Sequence, residues 1–325
     1  MREAKIIHCA QVCVDLTLSI DHLPERGGDV FATKNGISAG GGYNVLYAAR
    51  QMGAPAVYMG AIGTGAMADV ARRALGGIGV EVAGVTLPDV DTGYSVALTE
   101  PDGERTFIST RGAETMVPED FYETIELVEG DVVYLCGYSL VHRGNTEAIK
   151  RFARKNAGWR AGHVVFDVSP VVDLIAQDSL DAIRPLNPIW SVNEREAEIL
   201  CRRYAIADAA DGSGGSDEAV RCRALAAYLG NPVIVRVGAE GAWYCDGGEV
   251  RHVPALRVTA VDTNGAGDAH AGVLCAALLQ GMPMGRGLQL ANCAAGLSTT
   301  VSGPATCPER DVVESAAESM PALDF

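Results

Sequence analysis

Positive charge is scarce in this chain: its 325 residues carry 26 Lys and Arg against 41 Asp and Glu, a formal charge of −15 with a pI near 4.8. A polyanionic partner needs a basic face, so no nucleic-acid surface is expected. Long apolar runs are missing as well. No stretch reaches the roughly 18 residues of a membrane span, and the start MREAKIIHCAQV has no signal-peptide core, so the expectation is a cytoplasmic protein without a membrane partner. A Walker A loop, G-x-x-x-x-G-K-[ST], does not occur, which excludes a P-loop kinase. Cys9 and Cys13 lie close together, yet no second Cys/His pair completes a zinc site. The nine cysteines, odd in number and set in runs such as YLCGY and VLCAALL, read as buried reduced thiols. Repeats at solenoid periods are absent.

What is present is alternation. Short β-rich runs at 5–14, 56–62, 131–138, 163–168, 189–192 and 232–237 alternate with helical-period segments at 44–52, 66–76, 144–157, 194–204 and 217–229. Strands apolar on both faces, separated by helices, predict a parallel sheet covered on both sides. Residues 15–38 and 92–111 break the rhythm. They alternate apolar with polar, and the second carries the turn PDGER, so they predict strands of a small separate sheet exposed on one face. GAWYCDGGEVRHVPA reads as a further hairpin, and DAADGSGGSDE (208–218) as a flexible loop.

The stretch VDTNGAGDAHAGVLCAALLQGM (261–282) puts a short apolar strand, a loop of Gly and Asp, and an apolar helix in immediate succession. A helix start leaves backbone N–H groups unpaired and carries about half a positive charge, so Gly265, Ala266 and Gly267 form an anion site. Asp268 beside it is electrostatically costly unless it takes a proton from an attacking hydroxyl. It reads equally well as a first-turn capping residue, and the residues alone leave both readings open.

DTNGAGD resembles the signature of the ribokinase-like carbohydrate kinases, the PfkB family. A second match is the glycine-rich SAGGGYNVLYAARQMG after the first strand, and a third is SVNEREAEIL, which is similar to the family's N-x-x-E segment through Asn193 and Glu196. The likeness runs over essentially the whole chain, and EPDGERTF, GGGYNV and VRVGAEGAWY resemble a branch of bacterial sugar kinases. The resemblance implies one ribokinase-like α/β domain over residues 1–325. Its doubly wound, mostly parallel sheet would carry a small β lid from segments 15–38 and 92–111. It implies ATP-dependent phosphorylation of a sugar hydroxyl, with Asp268 as general base and Gly265, Ala266 and Gly267 as anion hole. Asp15 and Asn44 would hold sugar hydroxyls, Gly40, Gly41 and Gly42 would allow close backbone approach, and Arg105 would reach in from the lid. Asn193 and Glu196 would organise Mg2+ and phosphates through water, while Gly238 and Gly241 would border the nucleotide. Some relatives also bind a monovalent cation such as K+ near Asp262, Ser302 and Gly303.

Departures narrow the substrate. Gly41 and Gly137 stand where ribokinases proper carry a Lys and a Glu, so ribose is not implied. Tyr43 adds a ring able to stack on a sugar or base. A nucleoside kinase of the same fold and a non-catalytic sugar-binding regulator therefore stay open beside the sugar kinase. Asp167, closing HVVFDV, reads either as pointing into the ligand crevice or as capping the next turn. Gly63-x-Gly65-x-x-Ala68 with Glu81 mimics a dinucleotide fingerprint but lies in the second βα unit. His8 and His270 read as structural, and the acidic residues of 119–129 as a solvated face. Phe31, Val96 and Phe107 on the exposed lid face predict a homodimer through the lid.

Overall fold

Successive residues of the first strand face opposite cores in the computed structural model, which describes residues 2–102, 104–206, 216–321, 323 and 325. In β1 (Ile6–His8), Ile6 enters one buried cluster and Ile7 the other, as the period of two requires. The chain then leaves the main sheet: β2 (Val12–Ser19) and β3 (Lys34–Gly41) belong to a second sheet, and β3 runs directly into α1 (Gly42–Gln51). It returns through β4 (Ala56–Tyr58), α2 (Ala66–Gly77) and β5 (Glu81–Val82), before β6 (Tyr94–Thr99) and β7 (Arg105–Ser109) complete the second sheet. A regular alternation follows: β8 (Val132–Cys136), α3 (Arg143–Lys155), β9 (His163–Asp167), α4 (Gln177–Ile183), β10 (Ile189–Asn193), α5 (Glu194–Arg203), α6 (Asp217–Leu229) and β11 (Val233–Arg236). The hairpin β12 (Ala242–Cys245) and β13 (Arg251–Val253) leads to α7 (Ala266–Leu279), α8 (Met284–Ser298) and α9 (Arg310–Glu318).

Among the described residues the main sheet runs β13-β12-β11-β10-β9-β8-β1-β4-β5, parallel from β5 to β11, with the β11–β12 and β12–β13 pairs antiparallel. The second sheet runs β3-β2-β6-β7 and is the lid; its central β2–β6 pair is parallel and its outer pairs antiparallel. Buried Glu114 fastens the lid's base, its carboxylate accepting the N–H groups of Gly93 at 2.6 Å and Gly112 at 3.0 Å. Helix α7 is buried from Ala269 through Leu278, which its apolarity all round the axis demands.

Three expectations change. The run 5–14 is two strands, because the chain passes from the main sheet at His8 to the lid at Val12; apolarity alone does not mark a change of sheet. The lid accordingly begins at Val12 rather than at 15, and β3 extends to Gly41. The short strand expected before Asp262 does not form, because the N–H groups of Val261 and Asp262 both donate to the Thr299 carbonyl at the end of α8, at 2.7 and 2.9 Å, instead of to a neighbouring strand. Of the Gly/Ser/Asp-rich loop at 208–218, residues 208–215 lie outside the described residues, as does Gly103 of the PDGER turn. None of the nine cysteines forms a disulfide, and all but Cys13 are buried. Among the described residues no helix is long and apolar enough to cross a membrane, and no group of His, Cys, Asp and Glu is arranged to hold a metal directly.

Candidate active site

Parallel strands end together, so the carboxyl edge of the sheet collects the last residue of each strand. Asn193 ends β10 in register with Arg236, which ends β11, and Asp167 ends the adjoining β9. Arg236 is the centre of this group. Its Nη1 donates to Asp167 Oδ2 at 2.8 Å, its Nη2 lies 3.5 Å from Glu196 Oε2, and Nη1 also lies 3.5 Å from the Gly267 carbonyl oxygen. A guanidinium between two carboxylates satisfies charges that would be costly if left unpaired away from water. Asp167 Oδ2 is held by Arg236 at the carboxyl edge, while Oδ1 accepts the Ser169 N–H of the next turn at 3.0 Å, the capping contact expected of it.

Above this group sits the start of α7. Gly265, in the left-handed region at φ 78°, turns the chain into the helix and offers no side-chain cap. Three other helix starts are closed by side chains: Asn193 and Glu196 form a capping box on α5, Ser216 caps α6, and the Asp91 carboxylate accepts Met67 and Ala68 N–H at the start of α2. That last contact also removes the dinucleotide-like reading of Gly63 to Ala68, since a carboxylate already fills the anion position, while Glu81 is exposed and pairs with Lys5. The start of α7 alone among these is left facing a cleft, which Ala266 and Gly267 line.

Asp268, in the first turn of α7, is met by α1. Asn44 Nδ2 donates to Asp268 Oδ2 at 2.9 Å across 224 residues of sequence, while buried Asn44 Oδ1 has no hydrogen-bond partner among the described residues. Burial pushes the Asp268 carboxyl up to about 7; the Asn44 bond and Arg236 work against the rise, and the charges of Asp167 and Asp15 add to it. Asp15 reaches this place from β2, where its carboxylate lies over Gly40 so closely that a Cβ there would overlap it, and burial raises its own pKa. Gly41 takes φ 59° at the β3–α1 junction, and a Cβ on Gly42 would overlap the His8 ring beneath. His8 is therefore structural, as expected: it is buried and stacked on Tyr134 with centroids 5.0 Å apart.

A cleft of ≈ 1160 Å³ adjoins the α7 start, lined among others by Asn193, Arg236, Gly238, Gly241 and Gly267. Buried His270 is on its wall, held neutral by burial. Glu196 is not on that wall. Its two oxygens accept Asn193 N–H at 2.8 Å and Asn193 Nδ2 at 2.9 Å, and burial together with Asp167 raises its pKa. Arg105 and Tyr43 do not line this cleft either. Arg105 donates from β7 to Asp262 Oδ1 at 2.7 Å, and Tyr43 packs beside Tyr47 in a separate hollow with Ile37, Val70 and Pro304 that neither Asp15 nor Asp268 lines.

The model of the pfkB family carbohydrate kinases matches residues 11–311. The chain belongs to that family. It is 28% identical over 305 residues to the uncharacterized sugar kinase YegV of Escherichia coli (strain K12), covering 92% of this chain and 89% of that one. It is 27% identical over 312 residues to the ATP-dependent ribose-1-phosphate kinase of Halopiger xanaduensis, covering 95% and 96%. In fold it matches the structure of Arabidopsis thaliana ribokinase complexed with ribose and ATP, with a TM-score of 0.79, 22% identity, and 98% and 100% of the two chains covered. A putative ribokinase II from E. coli in complex with ATP and Mg2+ matches with a TM-score of 0.75 at 22% identity.

This pfkB family kinase is thus an ATP-dependent carbohydrate kinase. Its structure adds one residue that sequence reasoning missed. Arg236 is a lone charge in the otherwise apolar strand run PVIVRV, two residues before Gly238 of G-x-x-G. That position was the available signal, because a charge ending a buried parallel strand arrives at the ligand edge of the sheet.

Proposed function

We propose that the kinase transfers the γ-phosphoryl group of ATP to a sugar hydroxyl held between the lid and the start of α7, with Asp268 as the base. The observation that carries this reading is the Asn44–Asp268 contact, by which α1 reaches a carboxylate in the first turn of an uncapped helix start, where burial has raised its pKa to about 7. Asp15 and Asn44 grip sugar hydroxyls, with the backbone of Gly40, Gly41 and Gly42 close by. The first-turn N–H groups of α7 at Gly265, Ala266 and Gly267 receive the phosphoryl oxygens. Gly238, which has open space where a side chain would stand, borders the nucleotide; Gly241 acts more by admitting the Val253 carbonyl beside it. Lid closure excludes water from the transfer.

Asn193 and the carboxylates of Asp167 and Glu196 behind it suit a hard cation that keeps its own waters, so Mg2+ is expected to arrive with ATP and neutralise phosphate charge. Glu196 acts there through Asn193, since its oxygens are already occupied. The chain works as one domain, in the cytoplasm, and a second copy covers the lid face on which Ile37 and Ile108, 53% and 60% exposed, flank Leu16 and Val96 across the four strands; Phe107, one residue from Ile108 on β7, points to the other face.

A panel of sugars and nucleosides, screened by ADP release with ATP and Mg2+, tests the reading: turnover of a sugar supports it, and turnover of nucleosides alone overturns it. Once a substrate is found, kcat/KM should rise with pH through about 7 and level off above, because the base must be ionised and burial has raised its pKa. A flat profile between pH 6 and 8, at roughly constant stability, would contradict Asp268 as base. Asn44→Ala should raise the sugar KM at a cost of about 1 to 3 kcal/mol while leaving ATP affinity nearly unchanged. Because the lost bond had lowered the Asp268 pKa, the pH profile of this variant should also move to higher pH.

A further inference from the structure

Asp262 opens the loop that ends at Gly265, so its charge stands next to the site where phosphoryl oxygens are to be received. Its carboxylate is 7% exposed and fully engaged. Oδ1 accepts Arg105 Nη2 at 2.7 Å and the Asn264 N–H at 2.9 Å; Oδ2 accepts the Gly303 N–H at 3.0 Å and lies 3.5 Å from Ser302 Oγ. Burial opposes its ionisation, but Arg105 and the N–H groups of Asn264 and Gly303 outweigh that and hold the carboxyl below the ordinary aspartate range. A monovalent metal ion needs oxygen lone pairs around it. Here the carboxylate is surrounded by N–H donors and a guanidinium, so the residues do not fit K+.

We propose that the Arg105 guanidinium is the internal cation of the Asp262 site, so that the loop leading to α7 needs no monovalent ion to offset its carboxylate. An uncompensated carboxylate beside a transferring phosphoryl group opposes the developing negative charge, and a fixed cation cancels it. Arg105 is carried by β7, the edge strand of the lid. The cancellation is therefore complete only while the lid sits over the loop, and this couples lid closure to readiness of the anion site.

This inference rests on the kinase reading for its effect on turnover but not for its first test. The full chain is melted without substrate in about 100 mM KCl and in choline chloride at equal ionic strength; the wild type should show the same Tm in both, and a K+-specific rise of about 2 °C would overturn the proposal. Arg105→Met empties the cation position and should gain that K+-specific rise, whereas Arg105→Lys, which keeps the charge, should not. A folded Arg105→Met chain indifferent to K+ would also overturn it. If that variant does not fold, the wild-type comparison decides alone. With a substrate in hand, K+ should stimulate Arg105→Met by on the order of tenfold and leave the wild type within about twofold.

Discussion

Replacing Asp268 by Asn is expected to lower turnover by on the order of 10² to 10⁴ while fold and ATP binding survive. Asn keeps the size of the side chain, still accepts the bond from Asn44, and caps a helix start as well as Asp does. A capping role alone therefore predicts activity near wild type, and a fully active variant would remove the mechanism. Stability supplies an independent check whose sign is fixed by the raised pKa. Between the ordinary value of 3.8 and the native value of about 7, the folded chain holds a proton on Asp268 that the unfolded chain releases. The stabilisation from that proton is full below the unfolded value and is lost as pH rises through about 7. At pH 8 the wild type carries an ionised, poorly solvated carboxylate, so Asp268→Asn should melt at or above the wild-type temperature. Steady-state phosphorylation at saturating ATP and thermal unfolding at pH 8 read the two effects separately.

Gly272→Val should be the most damaging substitution outside the reacting groups. Gly272 sits one turn beyond Asp268 on α7, where a Cβ would overlap the Val45 carbonyl of α1 and stand 2.7 Å from the Ala48 Cβ and 3.0 Å from the Ala49 nitrogen. These are backbone and helix-core atoms that cannot swing aside. Valine forces α1 and α7 apart, with an expected loss of about 3 kcal/mol from overpacking. The same displacement separates Asn44 from Asp268, and about 1 Å of misplacement at a reacting pair costs on the order of 10²-fold in rate. Chemical denaturation and kcat, measured at a temperature where the variant is folded, test both consequences. Gly76→Ala provides the control, because nothing lies within 4 Å of a Cβ built there and its stability should hold or improve.

Much of this was readable beforehand for local reasons. Strands such as VVYLC, apolar at every position, required cover on both faces and became the buried β8 of a parallel sheet. The polar alternation of 92–111 became the lid pair β6–β7, and the loop of two glycines before an apolar helix became the uncapped start of α7. The break between β1 and β2 was hidden, because residues 5–14 are apolar on either side of it and only pairing partners differ: His8 joins Tyr58 and Tyr134, while Val14 joins Ala39 and Tyr94. The surroundings of Arg105 and Tyr43 depend on where a side chain points after strands and helices have docked.

By itself, then, the sequence determined the family, the alternating α/β architecture and the residue types available for phosphoryl transfer, because each of these is written in local periodicity and short motifs. Only the tertiary structure decided which of those residues act together. It set Asn44 on Asp268 across 224 residues, and Arg236 between Asp167 and Glu196. It also turned Arg105 from the lid onto Asp262. The reason is physical: charges buried at a sheet edge persist only in pairs, and which pairs form is settled by strand register and helix docking, not by neighbours along the chain.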